Sequence, residues 1–166
     1  MDIRQLGLGD VDIFKRIRLE ALRTDPEAYA STVADWEALP EEEWQRRLTS
    51  SSVFVALRQD DPIAVMGLIR QASSKMAHRA TIVMVYVRAS ERGSGLAALL
   101  LNALLGHARQ IGILQAELAV SALNLTARHF YQREGFEEIG IVPAGFIHNG
   151  HEIDEVLMMR RLDRTS

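Results

Sequence analysis

The chain has 166 residues, 48% of them hydrophobic and 25% charged, with a formal net charge of -3; these are ordinary globular proportions and enough chain for one core rather than two. The mild acidic balance and the lack of a basic run argue against a nucleic-acid partner, Arg160 and Arg161 being a pair and not a patch. The absence of cysteine excludes disulfides, thiolate metal sites and a covalent cysteine intermediate.

In chain order, Ile3 to Leu6 reads as a short strand, and Gly7-Leu8-Gly9-Asp10 as a turn whose last residue caps a helix. That helix runs from Val11 to about Arg23 on the helical spacing of Ile13, Phe14, Ile17, Ala21 and Leu22, and Asp25-Pro26 stops it. Pro40, followed by Glu41 to Glu43, opens a second helix, because proline suits the first turn and acids complement its positive end. Trp44 and Leu48 should face the core. The glutamates read as solvated surface.

Val53 to Leu57 and Ile63 to Ile69 are β-rich runs joined by Gln59-Asp60-Asp61-Pro62, so a hairpin is expected. Arg79 to Val87 is a third such run. Leu96 to Ile111 is a helix closed by Gly112, Leu114 to Ser121 a strand, and Leu125 to Glu134 a short helix ended by Gly135. Ile141 to His148 and His151 to Arg160 flank Asn149-Gly150, a strong two-residue hairpin signal. The expected architecture over 1–166 is one α/β (α+β) domain, a mixed, largely antiparallel sheet flanked by helices. No apolar run approaches the ~18 residues of a membrane span and no secretory start is present, so a cytoplasmic protein away from membranes is expected.

The chemistry concentrates where the strand ending at Val87 feeds the helix starting at Leu96 through Arg92-Gly93-Ser94-Gly95. N–H groups at a helix start are unpaired and sit at the positive end of the helix dipole, and bare glycine backbone lets phosphate approach them. A tight turn would use the same glycines. Their placement between an apolar strand and an apolar helix favours the phosphate site.

At this point the sequence resembles the GNAT superfamily of N-acetyltransferases. Arg92, Gly95 and Ala97 match that family's Arg/Gln-x-x-Gly-x-Gly/Ala loop. Downstream, the stretch from Asn124 through Ala127, Phe130 and Tyr131 to Gly135-Phe136 resembles its Asn-x-x-Ala-x-x-Phe-Tyr-x-x-x-Gly-Phe signature. The resemblance covers nearly the whole chain and implies a GNAT-like acyl-CoA N-acyltransferase fold. It further implies transfer of an acetyl group from acetyl-CoA to the amine of a small molecule or peptide. By position, Val85 and Val87 would offer backbone groups to the pantetheine arm, while Arg92, Gly93, Ser94, Gly95, Leu96 and Ala97 would hold the pyrophosphate. Asn124 and Ala127 would contact the cofactor, and Tyr131 would stand near the sulfur. Asn124 also reads as a plain helix cap and Tyr131 as a plain core aromatic. A homodimer is a candidate assembly.

Two rivals remain open at this level. Gly93-Ser94-Gly95-Leu96-Ala97-Ala98 also fits a dinucleotide fingerprint with Glu117 about 20 residues on, although Arg88 to Arg92 separate strand from glycine and the closing hairpin does not suit that fold. A CoA-binding sensor or interaction module would keep the fold without turnover. His148 and His151, near Asp154 and Glu155, raise a metal site, but a pair facing each other across a hairpin makes a poor one, and no metal is expected.

Without cysteine, direct attack of the amine in a ternary complex is the economical route. The N–H of Val85 or Val87 would hold the oxyanion and Tyr131 would protonate the leaving thiolate. The expected strand carboxylate is missing from Thr81 to Val87, which leaves Glu37, Glu117, Asp154 or a water chain as the base.

Overall fold

A computed structural model describes residues 1–163; residues 164–166, which the one-domain expectation includes, lie outside the described residues. The strands are β1 (Asp2–Gln5), β2 (Ser52–Arg58), β3 (Asp61–Arg70), β4 (Arg79–Val87), β5 (Gln115–Ser121), β6 (Glu137–His148) and β7 (His151–Arg161). The α-helices are α1 (Val11–Thr24), α2 (Val33–Glu37), α3 (Glu41–Ser50), α4 (Leu96–Gln110) and α5 (Leu125–Arg133).

The strands form one sheet in the order β1-β2-β3-β4-β5-β7-β6. Only the β4–β5 pair is parallel; the other pairs among the described residues are antiparallel. This is the expected mixed, largely antiparallel sheet, and it leaves no doubly wound parallel sheet for a dinucleotide fold.

Strand alternation divides the core. Val53, Val55 and Leu57 of β2 pack with Phe14, Ile17, Leu22, Trp36 and Trp44 from α1, α2 and α3. Phe54 and Ala56 turn to the other face, where Leu96, Leu100, Leu101 and Leu104 of α4 and Tyr131 of α5 pack. A strand covered on both sides needs an unbroken apolar run rather than alternation, which is why Val53 to Leu57 contains no polar residue. Trp44 and Leu48 are buried as expected, at 2% and 3% exposure. No helix among the described residues is long and apolar enough to cross a membrane.

Three local features differ from the sequence-based expectation. Asp10 does not cap α1 with its side chain; its carboxylate accepts from the Gly7 N–H at 2.8 Å and pairs with Arg4 at 3.0 Å. The short helix α2 was unexpected, yet Thr32 and Asp35 form a reciprocal capping box, with Asp35 N donating to Thr32 Oγ1 (3.1 Å) and Thr32 N to Asp35 Oδ2 (2.9 Å). Strand β6 begins at Glu137 rather than Ile141. Between Val142 and Phe146 it bulges, with Ala144 at φ 50° and its N–H donating to Asp154 Oδ1 at 2.9 Å.

Away from the cleft, Arg88 ties α1 to the sheet. It donates to Glu20 at 2.7 and 3.0 Å and to Asp61 at 2.7 Å, and Tyr86 Oη adds a bond to Glu20 at 2.9 Å. Burial works against the Glu20 carboxylate, but the bonds from Arg88 and Tyr86 together hold it below its usual value. The bond from Arg88 does the same for Asp61. Lowered carboxyl values mean stability that is present above the ordinary pKa of ~4 and lost as pH falls through the native one. Arg88→Gln should therefore lower stability by about 1 kcal/mol at neutral pH, given the partial exposure. Its melting-temperature deficit should shrink as the pH is taken below ~4. A deficit that stays constant through that range would contradict this linkage.

Candidate functional site

The site begins where two strands part. β4 and β5 pair only from Arg79, Ala80 and Thr81 to Gln115, Ala116 and Glu117. Beyond that point β4 continues along β3 and β5 continues along β7, and a gap opens between them. Arg79 and Glu117 close the paired end with two bonds at 2.5 and 2.7 Å, and Gln115 adds a third to Glu117 at 2.9 Å. A partly exposed ion pair is worth at most about 1 kcal/mol, so this clamp sets where the strands part more than it stabilises them. The bonds from Arg79 hold Glu117 below the usual carboxylate range. Glu117 is thus engaged and is not among the residues that line the cavity described below.

β4 carries a bulge inside the gap. Its register against β3 runs from Val83–Gly67 to Tyr86–Val65, one extra residue on β4, and Met84 adopts a positive φ of 59°. After the bulge the Arg88 N–H donates to Ile63 O at 2.9 Å. Alternation then turns the backbone groups of Val85 and Val87 to the opposite edge, toward the gap. There Val85 O accepts from Tyr29 Oη at 2.7 Å, and Val87 O accepts from Arg92 Nε at 2.8 Å. Both carbonyls face the gap, but both already have protein donors.

The gap leads into a cavity of about 590 Å³. Its sheet walls include Val83, Met84 and Val85 from β4 and Leu118 to Ser121 from β5; Asn124, Ala127 and Tyr131 enter from the α5 side. Arg18, Tyr29, Trp36, Arg46 and Arg47 close it from the α1–α3 side. Three residues singled out from the sequence, Asn124, Ala127 and Tyr131, therefore meet Val85 in one place.

Asn124 serves two purposes there, because its Oδ1 caps α5 by accepting from Ala127 N at 3.1 Å while the residue lines the cavity. Tyr131 likewise is both core and cavity wall. It is 5% exposed, with ring centroids 5.2 Å from Phe130 and 5.5 Å from Phe136. Desolvation pushes its phenol pKa up, so the hydroxyl keeps its proton throughout the neutral range.

The glycine loop lies past the end of β4, and none of Arg92 to Ala97 lines this cavity. Gly95, at φ 85°, is the residue that caps α4, a left-handed conformation that penalises any side chain. A Cβ there would meet nothing within 4 Å, so the demand is for backbone shape and an open approach. The first N–H groups of α4 have no intrahelical acceptor, and Gly93, Ser94 and Gly95 just before them are exposed. Two details depart from expectation. Arg92 spends its guanidinium on Val87 O and on Asp25 at 2.7 Å, bracing the loop instead of standing free. Leu96 is 2% exposed and packs in the core, so only its backbone is available to a ligand.

Of the three carboxylates considered as bases, none lines the cavity. Glu37 pairs with Arg23, Glu117 with Arg79, and Asp154 accepts the Ala144 N–H that pins the β6 bulge. The cavity's one carboxylate is Glu155 on β7, opposite Ser121 of β5. In the sequence Glu155 stands out only by its nearness to His148 and His151. His148 and His151 do face each other across the final turn. No group of three or more His, Cys, Asp or Glu arranged to hold a metal occurs among the described residues.

Residues that sequence reasoning missed cluster on the α1–α3 side. Tyr29 sits between the helices without a motif to flag it. Arg18 is 3% exposed, with its Nε and Nη1 buried and unbonded, and its Cζ lies 4.5 Å from the Trp36 ring centroid and 5.0 Å from that of Tyr29. Burial pulls its pKa down to about 10. In the sequence Arg18 is one of several polar residues on an amphipathic helix; only its inward position distinguishes it.

Comparison with known proteins agrees with this geometry. Residues 17–136 match the acetyltransferase (GNAT) family. An acetyltransferase of the GNAT family from Streptococcus pneumoniae superimposes with a TM-score of 0.83 at 21% identity, covering 96% of this chain and 98% of its own. A ribosomal-protein-alanine N-acetyltransferase from Brucella melitensis gives 0.78 at 22% identity, covering 97% and 99%. The yncA protein of Salmonella typhimurium, solved with its cofactor acetyl-CoA, gives 0.80 at 19% identity, covering 100% and 96%. At such identities the likeness is one of fold. No curated protein matches the sequence.

The Glu155 carboxylate is held against bare backbone, since a Cβ on Gly145 in the β6 bulge would fall 2.5 Å from Glu155 Oε1. Gly145→Ala should therefore push the Glu155 side chain from its present rotamer and cost about 0.5–1.5 kcal/mol of stability. Adding Glu155→Ala in the same chain should recover most of that loss. Denaturant unfolding of the single and double variants measures both, and strictly additive losses would show that the contact does not exist.

Proposed function

The chain belongs to the GNAT acetyltransferase family, and on that premise we propose that it is an acetyl-CoA-dependent N-acetyltransferase acting on a primary amine by direct attack. The observation that carries this is the parted β4–β5 edge: backbone groups of Val85 and Val87 face the same gap as Tyr131, while a glycine-capped helix start stands beyond the end of β4. The bound thioester would supply an activated acetyl group. Every other part of the reaction falls to residues of the chain.

The N–H groups at the start of α4 and the backbone of Gly93 and Ser94 suit the diphosphate, with Arg92 holding the loop to β4. The gap admits an extended arm along Val85 and Val87, whose N–H groups are the donors for a developing oxyanion. Asn124 and Ala127 border the same arm. The amine enters from the α1–α3 side, and Glu155, the cavity's carboxylate, takes its proton. Tyr131 donates to the departing thiolate. Burial keeps the phenol protonated, so a proton stands beside the sulfur as it leaves. The same burial makes it a weaker acid than a thiol of reference pKa near ~8.5, so the donation is completed by CoA leaving into solvent.

Three variants test separate parts of this assignment. Gly95→Val strains a φ of 85° and places a branched side chain at the helix start, so acetyl-CoA affinity should fall at least ~10-fold. A folded variant with unchanged affinity would move the diphosphate elsewhere. Tyr131→Phe keeps the ring packing and should lower kcat by ~10²-fold to ~10⁴-fold with acetyl-CoA affinity nearly unchanged; wild-type turnover would remove Tyr131 from the mechanism. Glu155→Gln should lower kcat over the same range, and full activity would return the proton to a water chain. Initial rates over both substrates should give intersecting lines, whereas parallel lines and an isolable acetylated enzyme would defeat direct attack.

A further inference from the structure

Arg18 is the one charged side chain in the buried set among the described residues, and the proposed reaction does not yet use it. It projects from α1 into the cavity wall with Nε and Nη1 free of any hydrogen-bond partner. Among the described residues no carboxylate pairs with it. Its surroundings make matters worse for a lone cation, because Arg47 places its Cζ 4.5 Å from the same Trp36 ring and disfavours the Arg18 charge. Arg47 is itself held by Glu43 at 3.0 Å, and Arg46 is held by the same Glu43. Stacking on Trp36 and Tyr29 offsets only part of the cost of desolvating a guanidinium, which is relieved when an anion supplies acceptor oxygens.

Resting on the acetyl-transfer reading, we propose that the acceptor is a small amine that also carries an oxyanion, a carboxylate in the first instance, and that Arg18 binds that oxyanion. The charges of the cavity suit such a molecule. Arg18, Arg46 and Arg47 line the α1–α3 end and Glu155 lines the β7 wall, so an amino acid can direct its carboxylate to one and its amine to the other. Size points the same way, because a cavity of about 590 Å³ that also serves the thioester end leaves room for a compact acceptor. Arg18 at 3% exposure is reached only by a group that enters the cavity. The phosphates of the acyl donor are poor candidates for this role, since the glycine loop contributes nothing to the cavity that Arg18 lines.

The test is a CoA-release assay over matched acceptors: a panel of free amino acids, the carboxamide of each, the corresponding simple amines, and aminophosphonate analogues. For the wild-type protein, kcat/KM for the best carboxylate or phosphonate should exceed that of its carboxamide by roughly 10-fold to 10²-fold, the worth of a charge-assisted bond. The ratio between the carboxylate and phosphonate arms identifies the oxyanion preferred. Arg18→Met keeps the apolar stem and should bring the preference over carboxamide to about one, mainly through KM, with acetyl-CoA affinity retained; Arg18→Lys should restore part of it. Equal or better use of carboxamides by the wild type overturns the proposal even if Arg18→Met does not fold. So does Arg18→Met that loses acetyl-CoA affinity while keeping the acceptor preference. If no amine is turned over, the acetyl-transfer reading fails instead. The oxyanion site is then decided by whether the amino acids raise the melting temperature of the wild type and not of Arg18→Met.

Discussion

The structure depends on a break in its own sheet. Backbone groups in a central strand are obligatory hydrogen-bonding groups, and a sheet normally satisfies them on both edges. β4 has its β3 edge paired over most of its length but its β5 edge paired only at Arg79 to Thr81. From Ile82 onward the other edge has no strand partner, and Ile82 to Val85 border the cavity. The carbonyls of Val85 and Val87 find substitute donors in Tyr29 and Arg92, so the opening is built rather than merely tolerated. The Met84 bulge aims those groups outward, and β7 and β6 continue the sheet on the far side.

That opening explains why helices lie where they do. α4 and α5 cover the face that carries Phe54 and Ala56; Tyr131 of α5 also lines the cavity between the parted strands, while the start of α4 stands past the end of β4. On the opposite face α1, α2 and α3 pack Phe14 edge to face against Trp36 and Trp44, which lie tilted to each other, with centroid separations of 5.2 to 6.2 Å. Of this cluster Trp36 lines the cavity, and Arg18 and Arg47 lie against its ring. Arg47 is paired with Glu43, so the uncompensated cost on this wall falls on the buried Arg18 alone.

Pairing accounts for most of the charged residues that the sequence left ambiguous. Glu41 and Glu43 pair with Lys15, Arg46 and Arg47; Glu37 pairs with Arg23; Glu117 pairs with Arg79. Such pairs are cheap to form at a surface and contribute little, but they decide which carboxylates are available for chemistry. Asp154 is removed from the list in a different way, by holding the backbone of a bulge. Glu155, its neighbour, points to the other face of β7 because side chains alternate along a strand, and it is that face which borders the cavity.

The amino-acid sequence by itself determined the element order apart from α2, the placement of Trp44 and Leu48 in the core and the closing hairpin at Asn149-Gly150. It also located the helix start at Gly95, because periodicity, proline and glycine act within a few residues of where they stand. The Asn124 to Phe136 signature likewise marked Tyr131 for the site. The capping box of α2 was present at Thr32 and Asp35 but spans too short a helix to show a period. Only tertiary structure decided that Glu155 and not Glu37, Glu117 or Asp154 lines the cavity, that Arg92 is spent on bracing its loop, and that Arg18 is buried without a partner. Those outcomes depend on contacts between residues such as Arg79 and Glu117, or Arg18 and Trp36, which no local pattern encodes.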